Sequence, residues 1–329
     1  MAELAAASVH LIDDEAEWNR LALATPQPDP FSATTHWQLA FREAIDPDRR
    51  AIIRRSNDGL VHFAEHTMSG KPVLGPIERQ WLFGCNILGP DGPDLFAELV
   101  ADAEDDAASG PPLFLISGLD PSGRIHRFLR KKFASWALVH SEVQCAAALE
   151  GGLDGFLSRR SAGMRRNLRR YMKRAVDAGV RFERHAPASA EEADNVFARM
   201  LAVELTSWKG LGRCGMESPR MQRFYATMLR RLARTREGRV MFAVLDARDI
   251  GFIFGGVAGG VYRGQQFSFN DDFGALSIGN LLQFEQVRWL CEEGALRYDL
   301  GPLLGPSMGY KRHWTEIQMP IDALMIQRA

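Results

Sequence analysis

Apolar positions along the chain repeat every second residue in some stretches and every third or fourth in others, and the switches between these periods mark strands and helices. In the first half the pattern predicts a strand over 8–12, a helix over 15–23 that stops at Pro26, Pro28 and Pro30, and a helix over 36–44. Two alternating runs, 50–55 and 60–67, flank Asn57-Asp58-Gly59, residue types suited to a hairpin turn. Residues 81–87 read as another strand. Beyond Gly89-Pro90-Asp91-Gly92-Pro93 come a helix over 95–105, a strand over 112–117, a helix over 122–131 and closing strands at 137–140 and 143–148.

Across 155–179, Met164, Leu168, Met172 and Ala175 fall at helical spacing with Arg and Lys over much of the rest, which predicts one long amphipathic helix linking two halves. After it a similar order returns: a strand over 180–183, helices over 190–205 and 219–235, and strands over 240–246, 250–256 and 262–270. A helix over 279–293, a strand over 297–300, a short helix over 308–314 and a last strand toward Met325 follow. The halves share an element order but no residue-level repeat, which points to two related units rather than a solenoid.

Composition narrows the class. A length of 329 residues suits two cores of roughly 150 residues each. The apolar share of 46% and charged share of 25% are those of a globular chain, and no stretch is apolar for the roughly 20 residues a membrane span needs. Residues 1–18 turn acidic where a secretion signal would be basic and then apolar, so a cytoplasmic location is expected. Cys85, Cys145, Cys214 and Cys291 form no C-x-x-C pair and the histidines show no H-E-x-x-H spacing, so neither a disulfide framework nor a metal site is expected. A net charge of -1 argues against a surface coated for nucleic acid, although one local basic face exists.

The chemistry concentrates late in the chain. Gln266-Phe267-Ser268-Phe269-Asn270, then Asp271 to Leu276, then Ser277-Ile278-Gly279-Asn280 runs from a strand through a loop into a helix. Open amides at a helix start suit a phosphate, and Gly279 lets a ligand approach the backbone without a Cβ in the way. Ser277 suits an ordinary helix cap equally well. Further on stand Tyr298-Asp299-Leu300-Gly301 and Tyr310-Lys311-Arg312-His313-Trp314.

This succession resembles the GNAT acyltransferase superfamily. The glycine-opened helix, the Tyr298 to Gly301 strand and Tyr310-Lys311 with Trp314 resemble the acetyltransferases associated with cellulose biosynthesis and, more distantly, the tandem-domain Fem-type peptidyltransferases. The likeness covers Ser158 to Met325 and reaches weakly into the first half at Pro30-Phe31 and Trp37. It implies an α/β (α+β) fold of two tandem GNAT-like units, each a mixed, mostly antiparallel sheet flanked by helices. Residues 1–150 would form a degenerate unit that binds no cofactor, 151–178 the linking basic helix, and 179–329 the catalytic acyltransferase domain. The implied co-substrate is acyl-CoA, its pantetheine arm in a wedge between strands 266–270 and 297–300. Gln266, Ser268, Asn270, Ser277, Ile278, Gly279 and Asn280 are the implied contacts.

Acyl transfer to an amine needs a base for the attacking nitrogen and an acid for the leaving thiolate. Asp271 and Glu204 are the candidate bases, with Asp272 in reserve, although both aspartates also suit a turn. Tyr310 is the candidate acid, and Lys311 would neutralise the thioester oxygen or a substrate carboxylate; the two also suit simple packing with Trp314 at i+4. Asp299 either points into the site and orients Lys311 or ends its strand. Trp208, on the face of Glu204, and Trp314 are candidate walls of the acceptor pocket, with a plain core role for Trp208 as the alternative.

Arg159, Arg160, Arg165, Arg166, Arg169, Arg170, Lys173 and Arg174 include no acid among them, and their mutual repulsion suits either a solvated face or an anionic partner. A coenzyme A phosphate, an acyl carrier protein, tRNA and an acidic peptide all fit. In the first half the counterpart of the phosphate loop, 88–93, carries Asp91, Pro90 and Pro93, which add charge and remove amide donors. The expected activity is N-acyl transfer from acyl-CoA to an amine of a small molecule, amino acid or peptide. Long-chain acyl transfer, aminoacyl-tRNA-dependent peptidyl transfer and a non-catalytic binding module are the alternatives.

Overall fold

A computed structural model describes residues 15–103, 111–207, 215–303 and 308–327. The strand expected at 8–12 and the candidate wall residue Trp208 lie outside the described residues. The chain divides into two compact units, Met1–Gln144 with Met319–Ala329, and Cys145–Gln318.

The elements up to the boundary are α1 (Glu15–Ala24), α2 (Thr35–Ile45), β1 (Ala51–Arg55), β2 (Leu60–Met68), β3 (Lys71–Gly75), β4 (Ile87–Leu88), α3 (Gly92–Asp102), β5 (Leu113–Leu119), α4 (Arg124–Lys132) and β6 (Ser135–Ala148). Then come α5 (Gly152–Ser158), α6 (Ala162–Asp177), β7 (Arg181–His185), α7 (Ala190–Thr206), α8 (Pro219–Thr235), β8 (Gly238–Leu245), β9 (Arg248–Ala258) and β10 (Val261–Phe269). The last are α9 (Ile278–Glu292), β11 (Arg297–Pro302), α10 (Lys311–Trp314) and β12 (Ile317–Gln327).

In the first unit the strand order is β1-β2-β3-β5-β12, and β4 pairs with β2. Neighbours are antiparallel except β3 and β5, which run parallel with Val73 opposite Leu113 and Leu74 opposite Phe114. A parallel pair needs a crossover, and α3 supplies it. Phe63, Phe96 and Phe114 form the centre of the core beneath. The second unit repeats the plan. Its order is β11-β10-β9-β8-β7, with β10 and β11 parallel, the other described pairings antiparallel and α9 as the crossover. Each unit thus has two helices before its hairpin strands, then a third strand, a crossover helix and a parallel return strand.

Local chemistry explains where the elements depart from the hydrophobic pattern. The expected strand at 81–87 is a loop except at its end. Glu78 is buried and gathers this loop by accepting the amides of Gln80, Trp81 and Leu82 at 2.5, 2.6 and 3.1 Å. The strand facing β2 is instead β3, whose Pro72 weakens any strand signal. The polar His140-Ser141-Glu142 does not split β6, because Ser141 donates its hydroxyl to Asp322 at 2.7 Å. The helix expected over 155–179 is two helices, parted at Arg159–Ser161, with the Ser161 side chain capping the second at the Met164 amide, 3.1 Å away.

Candidate active site

The site grows from the place where two parallel strands stop pairing. β10 and β11 are in register at Val261 and Arg297, Tyr262 and Tyr298, and Arg263 and Asp299, and no later pair follows. At the same level β10 carries a bulge: Gly264 faces Gly255 and Gln266 faces Phe254, so Gln265 has no opposite residue on β9. The extra residue shifts the alternation of side chains. Tyr262 before the bulge packs with Phe284 and Val287 of α9, and after it the odd-numbered Phe267 and Phe269 lie against Ile278 and Leu281 of the same helix. The even-numbered side chains then turn to α7 and α8.

Beyond the last strand pair lies a cavity of about 160 Å³, lined by Gly264 to Phe267, Leu300, Gln283, Tyr310 and Lys311 among others. Gln265 Nε2 is buried and has no partner among the described residues. Tyr310 sets its ring edge-on to Phe267 with centroids 5.7 Å apart, and burial pushes its phenol above the usual range, so it stays protonated. Lys311 is buried and donates to the Pro302 carbonyl at 2.6 Å, where β11 ends. Gln283 accepts the Tyr298 hydroxyl.

On the other face of β10 stand Glu204 and Tyr225. Glu204, fully buried at the end of α7, accepts the Met216 amide at 3.0 Å on one oxygen and the Ser268 hydroxyl on the other. Tyr225 of α8 accepts the Gln266 amide at 2.7 Å, and burial pushes its hydroxyl up to about 12. Gln266 and Ser268 therefore face the two helices rather than α9. Asn270 caps the following turn by accepting the Asp272 amide at 2.9 Å, and Asp271 and Asp272 are exposed on that turn.

Ser277 opens α9 with φ 57°, a left-handed conformation that its residue type does not advertise, and its side chain makes no cap bond. Its amide donates to Gly274, and its carbonyl accepts the amides of Asn280 and Leu281. The amides of Ile278 and Gly279 are the first two of the helix and have no carbonyl within it to bond. The Ile278 side chain is buried. A Cβ on Gly279 would lie 2.7 Å from the Phe269 ring, so the glycine makes room for that ring rather than for open space.

Asp299 is fully buried, accepts the Gly301 amide at 2.8 Å and lies 4.0 Å from Arg263 Nε and 3.7 Å from Arg297 Nη2. Trp314 is a core residue stacked on Phe156 with centroids 6.3 Å apart. Tyr225, Arg263, Gln265 and Gln283 were not among the sequence candidates. The bulge that leaves Gln265 without an opposite residue and the register that joins Arg263 to Asp299 are pairing facts with no local signature. The basic run is largely engaged within the fold: Arg159 and Arg160 meet Glu316, Lys173 meets Asp177, and Arg165 and Arg174 donate to carbonyls.

In the first unit the matching helix start is closed. Asp91 donates its amide to Asp58 at 3.2 Å and accepts the Ser56 hydroxyl at 2.7 Å, Gly92 donates to Gly89 at 3.4 Å, and Pro93 has no amide hydrogen. Among the described residues no helix is long and apolar enough to cross a membrane, and no cluster of His, Cys, Asp or Glu is placed to hold a metal.

No curated protein sequence matches the chain. Among solved structures, FemX is similar at 11% identity and a TM-score of 0.66, over 94% of this chain and 95% of that one. The C-terminal DUF2156 domain of a lysylphosphatidylglycerol synthetase homologue from Agrobacterium fabrum is similar at 13% identity and a TM-score of 0.60, over 96% and 92%. A conserved protein of unknown function from Bacteroides thetaiotaomicron follows at 9% identity and 0.65, over 95% and 97%. At these identities the likeness is one of fold, and it spans both units. Residues 162–312, which hold the separated strands, the α9 start and the segment Tyr310 to Arg312, match the family model of the acetyltransferase (GNAT) domain.

Proposed function

We propose that this protein is an N-acyltransferase that moves an acyl group from acyl-CoA to the amine of a small molecule, amino acid or peptide. The observation that carries this reading is the end of β10–β11 pairing after Arg263 and Asp299, beside a helix whose first two amides have no partner among the described residues. Open strand edges can bond the amides of an extended ligand, and a helix start attracts a diphosphate. The unpartnered Gln265 amide in the cavity is a polar group suited to a ligand carbonyl. When bound, acyl-CoA supplies an activated thioester.

The chain's own groups then have distinct tasks. Ile278 and Gly279 hold the diphosphate through their amides, and Gln265 orients the arm in the cavity. Tyr310 is kept protonated by burial and protonates the leaving thiolate. Glu204 is the base, with the Ser268 hydroxyl bonded to it as the path of the proton; the exposed Asp271 is left a turn role. Lys311, held at Pro302, places a positive charge beside the reacting carbonyl. The first unit, with its helix start closed, binds no donor.

Mass spectrometry of small molecules retained on the purified chain, followed by thiol release with an amine panel, tests the reading. Retained coenzyme A and amine-dependent thiol release are expected. A chain that neither retains nor binds acyl-CoA rules the proposal out.

A further inference from the structure

A second cavity in the same unit, about 560 Å³, opens between the start of α6 and residues 310–316, and Tyr310 lines both it and the smaller cavity. Its walls include Arg159, Arg160, Gly163, Arg312 and Glu316. Arg160 is only 5% exposed, lies over the Phe156 ring at 4.5 Å and pairs with Glu316, yet its Nε has no partner among the described residues. Arg159 Nε shares the same carboxylate at 3.1 Å. Arg312 is exposed, and no described acid lies in salt-bridge range of it. Three arginines and one carboxylate thus line the cavity.

The backbone adds to the imbalance. Ser161 takes the Met164 amide on its side chain and the Arg165 amide on its carbonyl, which leaves the Ala162 and Gly163 amides as open donors at a helix start. Beyond its own helix, a Cβ on Gly163 would meet nothing nearer than Ser161 Oγ at 3.9 Å, so there is room beside this residue. A desolvated guanidinium with an unused donor, a second exposed one and the helix start at Gly163 line one volume. That arrangement attracts an anion with several acceptor oxygens.

We infer that this cavity binds a phosphate group of a substrate of the reaction proposed above, on which the inference rests. The phosphate has two sources: the nucleotide end of the donor, or a phosphorylated acceptor. Asn280, two residues past the Ile278 amide, lines the cavity, which places either source next to the proposed donor site.

The test titrates inorganic pyrophosphate into the full chain by calorimetry and repeats it on Arg312→Glu and Gly163→Glu. Both variants change exposed or open positions and are checked for an unchanged far-UV spectrum. Binding by the parent chain and at least a tenfold loss in each variant are expected. No binding, or equal binding by all three, overturns the inference. Coenzyme A against dephospho-coenzyme A separates the sources: a variant penalty on the first alone assigns the cavity to the donor's ribose phosphate, a penalty on both assigns it to the donor's diphosphate, and no penalty on either assigns it to the acceptor. Pyrophosphate binding lost in the variants, in a chain that ignores acyl-CoA, would remove the acyl-CoA reading and leave the anion site standing.

Discussion

Arg263 and Asp299 are the last residues in register between the two parallel strands of the second unit, and the guanidinium Nε lies 4.0 Å from the buried carboxylate. Arg263 Nη1 also bonds the Gly264 carbonyl at 2.7 Å, at the edge of the bulge, and its guanidinium fills the space where Gly301 would carry a Cβ, 2.5 Å away. One ion pair therefore ties together the end of pairing, the bulge and the glycine turn that follows.

Asp299→Ala should strongly destabilise the chain, because it leaves Arg263 and Arg297 without their buried acid. Removing one partner of such a pair costs about 3–5 kcal/mol. Urea unfolding checks this, and a loss below about 1 kcal/mol would show that solvent already screens the group.

Gly279→Ala should be destabilising although alanine is the better helix former. The added methyl meets Phe269 at 2.7 Å, and overpacking of that kind costs about 1–3 kcal/mol. Trimming the ring in Phe269→Leu should restore the double variant close to the Phe269→Leu single. A Gly279→Ala chain as stable as its parent, with no gain from the second change, would mean that the ring moves freely.

Glu204→Gln keeps the shape of the side chain and removes its charge. If Glu204 is the base, turnover falls about 100-fold or more while acyl-CoA affinity is retained. Steady-state kinetics beside direct donor titration separate the two, and unchanged turnover would return the role to another group.

His62 of the first unit gives a pH prediction. Complete burial lowers its pKa from 6.5 to about 3, so the folded ring is neutral where the unfolded ring is charged. The stability this contributes is present above about pH 6.5 and is lost as pH falls toward 3. The stability difference between the parent chain and His62→Phe should shift against the parent by about 1.4 kcal/mol per pH unit from about pH 6 to 4. Denaturant titrations at a series of pH values measure it, and a difference independent of pH would mean the ring is hydrated.

Much of the fold was legible in the chain. Helices such as α8, whose bounds match the pattern at Pro219 and Thr235, and the hairpin around Asn57-Asp58-Gly59 rest on local periodicity and turn chemistry. The loop around Glu78 was not, because its amides converge on a buried carboxylate that hydrophobic spacing does not register. At the site, the pattern placed Gln266, Ser268 and Gly279 beside the strand–helix junction. It did not reveal that the first two turn away from α9 or that the third accommodates a phenyl ring.

The sequence by itself determined most of the elements, their recurring order and the cluster of polar residues after β10, since each follows from side chains within a few positions of one another. Tertiary structure decided the rest: where β10 and β11 part, which face a bulge gives Gln265, and that Arg159 and Arg160 share Glu316. Those depend on strand register and on residues more than a hundred positions apart meeting across a core, and such distances leave no mark on the local pattern of polar and apolar positions.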